Sequence, residues 1–141
     1  MTADCVFCKI RDGQLPSMKI YEDEHTLAFM DINPLNGGHC LVVTRTHAPT
    51  IWDADEAELQ AAILAAKKLA TALREAVKPD GLNVLQANGA AAFQSVPHFH
   101  LHLIPRWNND GKGFDWAVVP GDRAQILKIG ERLREALAAA S

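Results

Sequence analysis

The sequence predicts an α+β domain: a five-stranded, largely antiparallel sheet with one long helix and a C-terminal helix on one face. Three observations carry this. Short strand-like runs follow one another in hairpin-like succession before any long helix. One segment of about 29 residues shows apolar positions every three and four residues. A second helical pattern closes the chain. With 141 residues and 48% hydrophobic composition, the expectation is one domain over 1–141 with a single core.

The elements follow in order. "CVFCKIRDG" reads as a short helix or a knuckle closed by Gly13. "MKIYEDE" (Met18–Glu24) and "TLAFMDI" (Thr26–Ile32) read as two strands joined by a polar turn. "NPLNGG" is a loop, and "HCLVVTR" (His39–Arg45) is a third strand. The long helix starts at Asp53 or Asp55, carries acidic residues in its first turn, and ends at Pro79 and Gly81. Its expected buried stripe is Leu59, Ile63, Ala66, Ala70, Leu73 and Val77. "GLNVLQAN" (Gly81–Asn88) is a fourth strand, "GAAAFQS" a loop, "VPHFHLHLIPR" a fifth strand, and "GDRAQILKIGERLREALAAA" the last helix.

Composition excludes some functions. A net charge of −3 argues against a nucleic-acid binder that works through bulk charge. There is no apolar run of the roughly 20 residues a bilayer span needs, so no membrane role is expected. The start, "MTADCVFCKIRDG", lacks the pattern of a secretory leader, and the expected compartment is the cytoplasm. Three cysteines cannot form a closed disulfide set. Cys5 and Cys8 form a C-x-x-C, which in a reducing compartment suggests a metal site or a redox pair. Cys40 reads as a small buried hydrophobe.

Half of the six histidines lie in one stretch, at His98, His100 and His102. On a strand, alternate side chains share a face, at about 6.5–7 Å between Cα atoms. Phe99, Leu101 and Leu103 then face the core, and the three imidazoles converge on the other side. Neutral imidazole can be nucleophile, acid, base or ligand. Three readings stay open on the residues alone: a three-histidine metal site, nucleophilic catalysis by one histidine, or one histidine on a structural metal with the others in chemistry. Asn88, Gly89, Gln94 and Ser95 lie just upstream. They offer neutral hydrogen-bonding groups and close backbone approach to an anion.

"HFHLHLI" resembles the histidine triad pattern, His-φ-His-φ-His-φ-φ with φ apolar. "AFMDINP" and "GGHCLVV" follow the same family's N-terminal half, and the resemblance runs from about Cys5 to Arg106. The branch it resembles is the Hint-like group of nucleoside phosphoramidases and nucleotidyl hydrolases, in its bacterial zinc-containing form. The resemblance implies the HIT fold, with sheets joined edge to edge across a homodimer. It implies that His100 attacks the α-phosphorus of a purine nucleotide, an AMP or GMP conjugate, and forms a nucleotidyl-histidine. His102 contacts the phosphate and helps the leaving group, and His39 supports the nucleophile. Asn88, Gln94 and Ser95 hold the phosphate or leaving group, with backbone amides near Ser95 and Val96 assisting. Asp31 accepts from the ribose hydroxyls. Phe7, Ile10, Leu15, Phe29 and Ile32 match the purine slot, although the same residues suit a core edge.

The resemblance further implies a structural zinc held by Cys5, Cys8, His47 and His98. His98 is then a ligand and not a catalytic acid. His25 has no assigned role. The expected activity is hydrolysis of a nucleoside phosphoramidate. A dinucleoside polyphosphate is the alternative, and a nucleotide-binding adaptor or a redox C-x-x-C protein are the rivals from other classes. The segment Arg106–Asp122 departs from the short Hint ending and is the place to look for leaving-group selection.

Overall fold

The computed structural model describes residues 4–114 and 117–140. Asp115 and Trp116, inside the expected leaving-group segment, lie outside the described residues. The elements are α1 (Val6–Arg11), β1 (Lys19–Glu22), β2 (Thr26–Met30), β3 (Cys40–Thr44), α2 (Glu56–Val77), β4 (Gly81–Leu85), β5 (His100–Arg106) and α3 (Arg123–Ala140). The five strands form one sheet in the order β1-β2-β3-β5-β4. Each neighbouring pair is antiparallel, so the α+β architecture is as the sequence predicts.

Period-two alternation sorts the side chains into two layers. Ala28, Cys40, Val42, Leu101 and Leu103 face α2, and they pack with Ala62, Ala65, Ala66, Leu69 and Leu73. Leu27, Phe29, Leu41 and Val43 face the other way and pack with Cys5, Phe7, Cys8 and Ile10. The expectation of helices on one face therefore needs correction. Helix α1 covers the face opposite α2, because the neighbours of the α2-facing residues are themselves apolar. The histidines belong to this α1 side.

The α2 stripe is also corrected. The buried positions are Glu58, Ala62, Ala65, Ala66, Leu69 and Leu73, while Ile63 is 56% exposed. The alanines present a narrow face that lets the helix approach the sheet closely, and this rotates the larger Ile63 outward. Leu59, Ala70 and Val77 flank the core as expected. The N-cap is Asp55. Gly38 is needed where it stands. Its φ is +92°, and a Cβ there would meet Pro105 Cγ at 3.0 Å and Leu73 Cδ2 at 3.3 Å. This close packing seats the residue that follows, His39.

Helix α3 contains no buried residue. Ile126, Ile129, Leu133 and Leu137 are all exposed. Among the described residues, no helix is long and apolar enough to cross a membrane.

Candidate active site

Strand β5 begins at His100, so His98 precedes the ladder and is not one of three equivalent strand residues. It is fully buried. Its Nε2 lies 2.7 Å from the Thr44 carbonyl oxygen and must donate there. The Nδ1 lone pair is thereby turned toward Cys5 Sγ at 3.3 Å, Cys8 Sγ at 3.6 Å and His47 Nδ1 at 3.3 Å. Cys8 Sγ lies 3.5 Å from His47 Nδ1. All four donor atoms fall within 4.8 Å of one another. Tetrahedral zinc, with bonds of about 2.0–2.3 Å, places its ligands at about these mutual separations. The group could therefore hold a metal ion. Burial, then the neighbouring Cys5 thiol, pushes the Cys8 thiol up to about 11. Burial, only partly opposed by the Thr44 hydrogen bond, pulls His98 down to about 4, so its lone pair is free at neutral pH.

His100 is turned the opposite way. Its Nδ1 donates to the His98 carbonyl oxygen at 2.7 Å, which leaves Nε2 as a free lone pair. Its ring meets Phe7 at 5.0 Å and His102 at 4.8 Å between centroids. Burial lowers its pKa, with the His98 carbonyl opposing and His102 reinforcing.

The third arrangement is a chain. The Leu35 amide donates to His39 Nδ1 at 2.9 Å, so the proton of neutral His39 sits on Nε2. That atom is 3.0 Å from His102 Nδ1 and 3.3 Å from Asp31 Oδ2. His102 Nδ1 accepts, and its own proton is on Nε2. Burial lowers both His39 and His102, and the Asp31 carboxylate opposes this. Asp31, His39 and His102 also bring their donor atoms within 4.8 Å of one another, close enough to share a metal ion. The tautomer argues against one, because a metal on His39 Nε2 would have to displace the proton that the Leu35 amide fixes there. The cluster is one hydrogen-bonded chain of a backbone amide, two imidazoles and a carboxylate.

These groups open onto a cavity of about 980 Å³. Phe7, Ile10, Leu15, Phe29, Asp31, Ile32, His39, Ser95, Val96, His100 and His102 all line it. Phe7, Ile10 and Phe29 are at the same time buried in the α1-side cluster. Core and slot are one surface here, whereas Ile32 stands on the rim at 87% exposure. Asn88 and Gln94 are not among the lining residues. Asn88 Oδ1 accepts from the Ile51 amide at 2.7 Å. Gln94 spans from the Gly89 amide, at 2.7 Å, to the Pro49 carbonyl, at 2.6 Å. Both side chains are spent on tying the 86–94 loop to residues 49–51.

Sequence reading missed three supports. The Thr44 carbonyl orients His98, and the Leu35 amide orients His39. These are backbone groups, and only their placement reveals them. Glu58 accepts from Thr46, at 3.2 Å from the amide and 2.6 Å from Oγ1, and so anchors the turn that carries His47. Its signal was only that of an acidic first-turn residue.

Comparison with known proteins identifies the family and agrees with the fold. The HIT domain family matches residues 12–109. The chain is 45% identical over 120 residues to "Protein hit" of Bacillus subtilis, covering 84% of this chain and 83% of the relative. It is 39% identical over 130 residues to the adenosine 5'-monophosphoramidase hnt1 of Schizosaccharomyces pombe, covering 92% and 95%. Among solved structures, a HIT family member from Bacillus subtilis superposes with a TM-score of 0.87 at 38% identity, covering 94% of this chain and 96% of that one. A Zn-bound histidine triad family protein from Mycobacterium smegmatis gives 0.76 at 34% identity, with 100% of each chain covered. The chain belongs to the HIT domain family, the histidine triad proteins, and is similar to its Hint-like members.

Proposed function

We propose that this protein hydrolyses purine nucleoside 5'-phosphoramidates through a nucleotidyl intermediate on His100. One observation carries the reading: His100 is held as the tautomer whose Nε2 lone pair is free, beside a proton-bearing His102, on the wall of a nucleotide-sized cavity. The name of the Schizosaccharomyces pombe relative supports the substrate class. Phe7, Ile10, Leu15, Phe29 and Ile32 clasp the purine. Asp31 takes the ribose hydroxyls, and the Ser95–Val96 edge meets the phosphate.

The His100 Nε2 pair attacks the α-phosphorus, and the phosphorus–nitrogen bond breaks with its electrons on the leaving nitrogen. The incoming phosphate favours one added proton on the His39–His102 pair, and that proton goes to the leaving nitrogen. Water then attacks phosphorus. The phosphorus–imidazole electrons return to His100, AMP departs, and the proton released from water recharges the pair. Adenosine 5'-phosphoramidate should release AMP, and His100→Ala should lose at least about 10³ in rate. AMP release that survives the substitution would overturn the nucleophile.

We assign Cys5, Cys8, His47 and His98 to a structural zinc. Four protein donors leave no open position, so the ion would hold α1 onto the sheet and take no part in the reaction. We also infer a homodimer in the cytoplasm. Two features support pairing: β4 is an edge strand, and α3 leaves its apolar residues uncovered. Sedimentation should give twice the mass of one chain. A single-chain mass at micromolar concentration would remove the dimer.

A further inference from the structure

Helix α1 and its N-cap residue, Cys5, serve two sites at once. Thiols and cavity-wall residues are interleaved along this short run, as Cys5, Phe7, Cys8 and Ile10. The Cys5 and Cys8 sulfurs lie 3.3 Å and 3.6 Å from His98 Nδ1. Phe7 and Ile10 line the cavity. All four side chains are buried. The Cys8 amide donates to Cys5 Sγ at 3.4 Å, and the Lys9 amide donates to the Cys5 carbonyl at 3.0 Å. Both thiols and Phe7 therefore belong to one hydrogen-bonded turn, and one cannot shift without the others. The Phe7 ring also bridges the two sites. It meets His98 at 5.8 Å, His100 at 5.0 Å and Phe29 at 5.5 Å between centroids.

A helix of six residues has little stability of its own, so its seat depends on the contacts it makes. Two states follow. With α1 seated, the four donor atoms converge and the cavity wall is closed. With α1 loosened, Cys5 and Cys8 part from His47 and His98, and Phe7 and Ile10 leave the wall. A metal held by all four donors binds only the seated state. So does a purine clasped by Phe7 and Ile10. Two ligands that favour the same state each tighten the other by the same factor.

The nucleophile does not depend on that seat. His98 Nε2 donates to the Thr44 carbonyl at 2.7 Å, and the His98 amide donates to the Val96 carbonyl at 2.8 Å. The His98 carbonyl that orients His100 is thus held without any metal. The coupling acts on nucleotide affinity and leaves the chemical step alone.

We propose that the group of Cys5, Cys8, His47 and His98 is an effector site for the cavity, coupled through α1: filling it tightens purine binding, and a bound purine tightens the metal. Cys5 and Cys8 are in this sense positioning residues for Phe7 and Ile10. This rests on the proposed zinc assignment and on the nucleotide reading of the cavity. If α1 is seated about a tenth of the time without metal, the apparent Kd for a purine nucleotide rises about tenfold.

The test titrates AMP into zinc-loaded wild type, chelator-stripped wild type, and Cys5→Ser combined with Cys8→Ser, each checked for folding by circular dichroism. Both metal-free forms should bind AMP about tenfold more weakly. The KM for adenosine 5'-phosphoramidate should rise with it, while kcat stays within about twofold. Ribose 5-phosphate, which lacks the base, should bind equally to all three. A reciprocal arm uses wild type alone and holds even where the metal-free forms fail to fold. Saturating adenosine should raise zinc affinity about tenfold in competition with a chelating dye, and ribose 5-phosphate at matched occupancy should not. An AMP Kd that is the same with and without zinc overturns the proposal. A loss shared equally by AMP and ribose 5-phosphate, or equal tightening of zinc by adenosine and ribose 5-phosphate, also overturns it, as does a fall in kcat at constant KM. Wild type that binds no zinc overturns the zinc assignment and the coupling with it. Zinc-loaded protein that binds no AMP overturns the nucleotide reading instead.

Discussion

At the scale of single residues, the three triad histidines differ through one hydrogen bond each. The Thr44 carbonyl turns His98 Nδ1 toward two sulfurs. The His98 carbonyl frees Nε2 of His100. The Leu35 amide, acting through His39, puts the proton of His102 on Nε2. Three identical side chains in five positions thereby offer three different things: a lone pair toward two sulfurs, a free Nε2 pair on the cavity wall, and a proton on Nε2. The proposed acid role of His102 has a direct test. His102→Ala should slow adenosine 5'-phosphoramidate hydrolysis by about 10²–10⁴. It should slow the p-nitrophenyl ester of AMP much less, because p-nitrophenolate leaves without a proton. Equal losses on the two substrates would deny His102 that role.

At the scale of elements, α1 has only six residues and is too short to be stable by itself. It is held by the burial of Phe7, Cys8 and Ile10 and by Arg11 Nη1 donating to the Arg45 carbonyl at 2.7 Å. The Cys5, Cys8, His47 and His98 group ties it at a third point. A metal there would join α1 to the turn before α2 and to the segment before β5, three parts distant in sequence. Protein purified without chelator should carry about one zinc per chain. Cys5→Ser combined with Cys8→Ser should lose the zinc and melt lower, yet keep measurable AMP release. Zinc well below one equivalent in the wild type would remove the structural assignment, and complete loss of turnover in a folded double variant would give the site a catalytic part.

At the scale of the whole molecule, burying the histidine cluster links stability to pH. His39 and His102 have folded pKa values below the ordinary value of about 6.5. Above about pH 7.5 they are neutral in both states and contribute no pH dependence. As pH falls below about 6.5, the unfolded chain takes up protons that the folded chain does not, so stability falls, by up to roughly 1.4 kcal/mol per pH unit for each group. The melting temperature should be lower at pH 5.5 than at 7.5. His39→Gln combined with His102→Gln should weaken that dependence and leave the part that the buried His98 and His100 contribute. A wild-type melting temperature constant across the range would contradict it.

The sequence by itself determined the antiparallel sheet, the long helix and the histidine pattern, because period-two and near-four alternation is written residue by residue. It also named every residue of the thiol–imidazole group and most of the cavity wall. Only the tertiary structure decided which nitrogen each histidine offers, since backbone carbonyls and amides from Thr44, His98 and Leu35 set the tautomers. It placed α1 opposite α2 and turned Ile63 outward, because a run of alanines packs more closely than spacing reveals. It drew Asn88 and Gln94 into bonds with residues 49–51. These are contacts between residues far apart in the chain, where local pattern carries no signal.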